Sequence, residues 1–144
     1  MKNKRNRWVL LLLLLLLCFA AIWYFFLRTP TISREGFVQQ GITTVKGSPE
    51  ISIWDYSAVD GDTVDFYFDG KLIFKSLGLG DTAVTYKTVS LSKGEHWIGI
   101  KAINEGFNPP ATPHISITDD KEKFEFDIDS WKDSASGSWL INVE

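Results

Sequence analysis

His114-Ile115-Ser116-Ile117-Thr118-Asp119-Asp120-Lys121-Glu122-Lys123-Phe124-Glu125-Phe126-Asp127-Ile128-Asp129 is the stretch that decides the fold. Ile115 and Ile117 alternate with polar neighbours, and Phe124, Phe126 and Ile128 alternate with Glu125, Asp127 and Asp129. A period of two belongs to a strand with one face in a core and the other in water. Thr118-Asp119-Asp120-Lys121 between the runs has turn chemistry, so the two are expected to pair as an antiparallel hairpin.

On either side of it, β-branched and aromatic residues recur in short runs broken by Gly, Pro, Asp and Asn at a spacing of roughly 8–12 residues. The runs expected as strands are 37–45, 50–56, 63–68, 71–75, 82–91, 95–103, 113–118, 123–128 and 138–143. No window after residue 28 repeats its apolar residues every 3.6 positions, so no long helix is expected there. Ser92-Lys93-Gly94 is read as joining the run ending at Leu91 to the one containing Trp97. Asp69-Gly70 suits a two-residue type I′ turn, pairing Phe68 with Lys71 and Phe66 with Ile73. Tyr67, Leu72 and Phe74 then fall on the opposite face, so this hairpin is expected to be apolar on both sides or bulged. The fold class expected is all-β: a single antiparallel β-sandwich, immunoglobulin-like or jelly-roll-like, preceded by one N-terminal transmembrane helix.

That helix is read from Trp8 to Leu27, twenty residues without charge, Gly or Pro, which include the unbroken run Leu10 to Leu17. As a helix the run spans roughly 30 Å, the thickness of a hydrocarbon core. Lys2, Lys4, Arg5 and Arg7 precede it with no acid, and such a cluster stays on the cytoplasmic side. A cleaved signal peptide ending near Cys18 or Ala20 is the competing reading, but the apolar stretch continues through Leu27, longer than a signal core. The expected organisation is a cytoplasmic basic segment 1–7, a transmembrane helix 8–27, a linker 28–36 and a β-sandwich domain 37–144. The domain is placed in the periplasm or outside the cell.

All 18 acids lie beyond Arg28 with 10 of the 15 Lys and Arg, so that part carries a net charge of −8. An acidic domain repels phosphate backbones, which argues against nucleic acid and leaves a protein or glycan partner. Cys18 is the only cysteine and lies in the apolar run, so the exported part has neither disulfide nor thiol chemistry. About 116 residues after Arg28 suffice for one hydrophobic core.

The densest polar constellation runs from Trp54-Asp55-Tyr56 through Asp60-Gly61-Asp62, with Asn104-Glu105-Gly106-Phe107-Asn108-Pro109-Pro110 later. Both stretches leave an expected strand for a loop and can meet at one end of a sandwich. Ca²⁺ takes six to eight oxygens from carboxylates, amides and carbonyls, and Asp55, Asp60, Asp62, Asn104 and Glu105 are the candidate ligands. The same residue types also build ordinary turns, and the spacing is not that of an EF-hand. The pattern Trp54-Asp55, Asp60 to Asp62, Asp69-Gly70, Asn104 to Gly106, Pro109-Pro110 and Thr112 resembles an uncharacterised extracytoplasmic β-sandwich module of Bacteroidota-type secreted and membrane-anchored proteins. The resemblance covers most of the chain from about Glu50 and implies fold and location, without a settled activity. Asp69 and Ala111 depart from it where many such chains have Asn.

Trp54, Tyr56, Phe107 and Trp131 are the candidate ligand-binding aromatics, while Trp97 and Trp139 sit in alternating runs and are expected to pack. Catalysis finds no constellation. His96 and His114 lack a partner at triad or metal spacing and are read as surface or capped residues, and the serines at 134, 136 and 138 lack the Gly of a nucleophile elbow. The expected function is a non-enzymatic, membrane-anchored binding or accessory module presenting an acidic loop patch stabilised by Ca²⁺. A carbohydrate-binding domain is the alternative, and a hydrolase the more distant one.

Overall fold

The computed structural model describes residues 2–27, 30–56 and 59–144, with side chains of 2–7 and 25–27 outside the description. The chain forms two units, Met1–Pro30 and Thr31–Glu144.

The first unit is one helix, α1, Lys2–Leu27. Leu favours helix and nothing in the run breaks it. The basic segment expected at 1–7 continues this helix from Lys2, but its side chains lie outside the described residues. From Trp8 to Tyr24 every side chain is exposed, with bulky apolar groups on all sides. A helix that is apolar all round has no face suited to water. The helix expected over 8–27 forms, but against the transmembrane expectation no helix among the described residues is long and apolar enough to cross a membrane.

Among its described residues the second unit holds nine strands: β1 Phe37–Val45, β2 Glu50–Trp54, β3 Asp62–Phe68, β4 Lys71–Gly78, β5 Val84–Lys87, β6 Gly94–Glu105, β7 His114–Thr118, β8 Lys123–Asp127 and β9 Ser136–Val143. They form a five-stranded sheet in the order β1-β9-β6-β3-β4 and a four-stranded sheet in the order β5-β2-β7-β8. Each expected run overlaps one strand, with β3, β4, β6 and β9 extending beyond the expected bounds, and β7 and β8 pair as the expected antiparallel hairpin. Ser92-Lys93 does not close a hairpin: β5 and β6 lie in different sheets, so this connection crosses the sandwich.

The sandwich is not wholly antiparallel, because β1 pairs with β9 in parallel. The residues before β1 start at the other edge of this sheet. Thr31 bridges to Lys71 and the Ile32 amide donates to the Gly70 carbonyl at 2.8 Å, both at the β4 edge. β1 begins on the opposite edge, so the intervening residues must cross the five-stranded sheet and enter alongside β9 in its own direction. Much of the expected linker is thus part of the domain.

The β3–β4 turn is a two-residue loop with both central residues at positive φ, Asp69 at 49° and Gly70 at 76°, as type I′ requires. Phe68 pairs with Lys71 and Tyr67 with Leu72, but a bulge sets Phe66 opposite Phe74 instead of Ile73. Phe66 and Phe68 join the sandwich core, whereas Tyr67 packs against Phe37 with ring centroids 6.0 Å apart. The second apolar face is therefore covered by the start of β1.

Between the sheets lies an Ile-rich core, with Ile51, Ile53, Ile98, Ile100, Ile115, Ile117, Ile128 and Ile141 fully buried. β-branched side chains suit a pleated, half-buried surface, and burying each contributes about 1.5–3 kcal/mol. Trp139 stacks on Phe126 at 3.8 Å and donates its indole N–H to Thr43 Oγ1 at 2.9 Å. Trp97 packs edge-on against Phe37 at 5.1 Å.

Candidate metal site at the loop end

β2 ends at Trp54 in the four-stranded sheet and β3 begins at Asp62 in the five-stranded sheet, so the loop between them passes from one sheet to the other. The Asp55 amide donates to the Gly80 carbonyl and the Asp62 carbonyl accepts from the Leu79 amide, each at 2.8 Å, which holds both ends of the loop against the β4–β5 connection. Gly61, at φ 101°, turns the chain between Asp60 and Asp62. Asp55, Asp60 and Asp62 each bring a carboxylate oxygen to one point, all within 4.8 Å of one another.

The loop after β6 closes over this point. Asp60 Oδ2 accepts from the amides of Phe107 at 3.0 Å and Asn108 at 2.8 Å, and Asp62 Oδ2 accepts from the Thr112 amide at 3.1 Å. Gly106, at φ 58°, lies against the Asp60 carboxylate where a Cβ would collide. Each carboxylate thus uses one oxygen on backbone donors. Asp60 Oδ1 and Asp62 Oδ1 are shielded from water and have no hydrogen-bond partner. Asp62 is only 6% exposed, and an unpaired buried acceptor is costly.

Among the described residues neither Asp60 nor Asp62 forms an ion pair. Burial raises the Asp62 carboxyl, the Thr112 amide opposes this, and the charges of Asp60 and Asp55 and the contact with Asp60 raise it further, to about 6. Such a site gains from a proton or a cation. Its donors are hard oxygens without sulfur or imidazole, which suits Ca²⁺, Mg²⁺ or Mn²⁺ rather than Zn²⁺ or copper.

Of the five side chains expected as ligands, three meet. Asn104 Nδ2 donates to the Gly61 carbonyl at 3.0 Å, bracing the loop, and Glu105 Oε1 accepts from the Lys132 amide at 2.8 Å. Successive residues of a strand point to opposite faces, so Asn104 and Glu105 do not converge on one point. The sequence reading missed the bracing roles of Gly106 and Thr112. Thr112 also donates its hydroxyl to Asp129 Oδ1 at 3.1 Å.

The candidate aromatics divide. Trp54 meets the His114 ring edge-on at 4.6 Å, and Tyr56 stacks on it at 4.8 Å. Phe107 is at the tip of its loop, 89% exposed, and Trp131 is partly exposed in the turn closed by its amide on the Ala135 carbonyl. Among the described residues, neither makes a ring contact with Trp54 or Tyr56.

Neither histidine is a free surface residue. His96 is buried between Asp69 and the Ser92 carbonyl, and the His114 ring is largely covered, with Nδ1 2.6 Å from Asp127 Oδ1. No family model, no curated protein and no solved structure matches this chain.

Proposed function

We propose that the chain is a non-enzymatic, membrane-anchored binding module, with its β-sandwich outside the cytoplasm and its loop end braced by a divalent cation, most favourably Ca²⁺. The supporting observation is the pair of buried, unpartnered oxygens Asp60 Oδ1 and Asp62 Oδ1 beside Asp55. A cation there joins the β2–β3 loop to the β6–β7 loop, because Asp60 and Asp62 already hold the backbone of residues 107, 108 and 112. The anchor reading rests on the uncharged run Trp8 to Leu27 and the basic residues before it. The resemblance to Bacteroidota-type surface modules agrees with this placement.

Differential scanning of the full chain in detergent, with Ca²⁺ or with a chelator, tests the cation. Ca²⁺ at a hundredfold excess over its Kd adds about 2.7 kcal/mol, a rise in Tm of about 10 °C for a domain of this size. Identical melting in millimolar Ca²⁺ and in chelator removes the cation from the proposal.

A further inference from the structure

We propose that the outward face of the four-stranded sheet is a glycan-binding platform, with Tyr56 as its open stacking ring, His114 and Trp54 packed behind it, and Lys123, Glu125 and Asp127 as its rim. The proposal deepens the reading of the chain as a binding module and does not depend on the cation.

The alternation along the strands sets the face. Ile51, Ile53, Ile115 and Ile117 point into the core, so Trp54, His114 and Glu125 point out. Register places Trp54, His114 and Asp127 side by side across β2, β7 and β8. Tyr56 lies just past the end of β2 and folds back over the imidazole, its ring inclined 27° to it. Tyr56 is nevertheless 75% exposed: one ring face rests on His114 and the other is open. An aromatic residue serving only the core would be covered.

The two rings behind Tyr56 are held in place. His114 Nδ1 is bound to Asp127, and the Lys123 ammonium stands 5.9 Å from the Trp54 ring centroid while pairing with Glu125. A ligand that stacks on Tyr56 therefore meets a backing that is already ordered. An exposed ring face offers an apolar surface to the C–H face of a pyranose. The side chains of Asp127 and Glu125, 59% and 45% exposed, supply carboxylate acceptors beside it, and Lys123 a donor, for the hydroxyls at the sugar's rim. With 18 acids against 10 basic residues beyond Arg28, the domain repels anionic polymers, so the ligand class is a neutral glycan.

Titration calorimetry tests this on the full chain in a detergent without a sugar headgroup, with Ca²⁺ present. The probes are hexasaccharides of glucose, xylose, mannose and N-acetylglucosamine, with a heparin fragment as the anionic comparison. At least one neutral hexasaccharide is expected to bind, and Tyr56→Ala to weaken it about tenfold or more, about 1.4 kcal/mol. The Tm of Tyr56→Ala should stay at the wild-type value, and Phe107→Ala should bind as wild type. Absence of binding by all four neutral probes, binding of heparin alone, or wild-type affinity in Tyr56→Ala overturns the platform. Failure of the cation appears separately, as a Tm insensitive to Ca²⁺.

Discussion

Asp69 Oδ2 lies 2.6 Å from His96 Nδ1, joining the β3–β4 turn to the buried start of β6. The other Asp69 oxygen accepts from the Trp97 amide at 2.9 Å, and His96 Nε2 faces the Ser92 carbonyl at 2.9 Å. A carboxylate on one ring nitrogen and a carbonyl on the other both call for N–H donors, so the arrangement favours imidazolium. Burial acts to lower the His96 pKa, but the bonds to Asp69 and Ser92 and the charge of Asp69 outweigh it, leaving it above 6.5.

The resulting stability is full below about pH 6.5, the unfolded value, and is lost as pH rises through the higher folded value. Asp69→Asn keeps a residue tolerant of positive φ and an acceptor for Trp97, and removes the charge. It is expected to cost on the order of 1–3 kcal/mol at pH 6 and less at pH 9. Urea unfolding at both values measures the gap; an equal gap contradicts a charged pair.

Asp62 runs in the same pH direction for a different reason, because here folding favours the neutral form of the group rather than the charged one. Its carboxyl titrates near 6 in the folded protein against 3.8 ordinarily. Without a cation, the folded state is favoured below about pH 4 and loses that advantage as pH rises through 6. Asp62→Asn is therefore expected to melt higher than wild type in chelator at pH 7.5, by about 1–3 kcal/mol, with the difference closing towards pH 4. In Ca²⁺ the order reverses, because the variant lacks a ligand. A variant less stable than wild type in chelator at pH 7.5 would show that the Asp62 charge is already compensated within the protein.

The strands were legible because alternation is local: Phe124, Phe126 and Ile128 declare their face without knowledge of their partners. The parallel pairing of β1 was not, since its partner β9 lies about a hundred residues away and alternation carries no strand direction. Asp55, Asp60 and Asp62 were found through turn composition, which gathers carboxylates wherever chains reverse. The same composition drew in Asn104 and Glu105, although neighbours on one strand diverge. His114 was passed over because its partners, Asp127 and Tyr56, are remote in sequence. Its place in the alternation of 114–118, on the face opposite Ile115 and Ile117, was the available signal.

Gly106 couples the two loops of the candidate metal site. Its φ of 58° disfavours any side chain, and a Cβ there would strike the Asp60 carboxylate. Gly106→Ala is expected to cost about 1–2 kcal/mol for the left-handed backbone alone, and to displace Asp60 from the amides of Phe107 and Asn108. Calorimetric titration with Ca²⁺ should then show at least a tenfold loss of affinity, about 1.4 kcal/mol. Unchanged affinity would place the cation, if bound, away from Asp60.

The proposed anchor has its own test, independent of both sites. A helix whose side chains from Trp8 to Tyr24 are exposed and mostly apolar would leave a large greasy surface in water, well beyond the few hundred Å² a soluble monomer shows. The full chain is therefore expected to remain in the membrane pellet after alkaline carbonate washing. On the proposed orientation, with the cluster of Lys2, Lys4, Arg5 and Arg7 inside, protease added outside intact cells or spheroplasts should digest the sandwich and spare an epitope placed before Lys2. Replacing two central leucines, Leu13→Arg with Leu16→Arg, costs roughly 5–7 kcal/mol of insertion on the translocon scale and should move the protein to the soluble fraction. Recovery of the wild-type chain in the carbonate supernatant, or protection of the sandwich from external protease, would overturn the anchor or its orientation respectively.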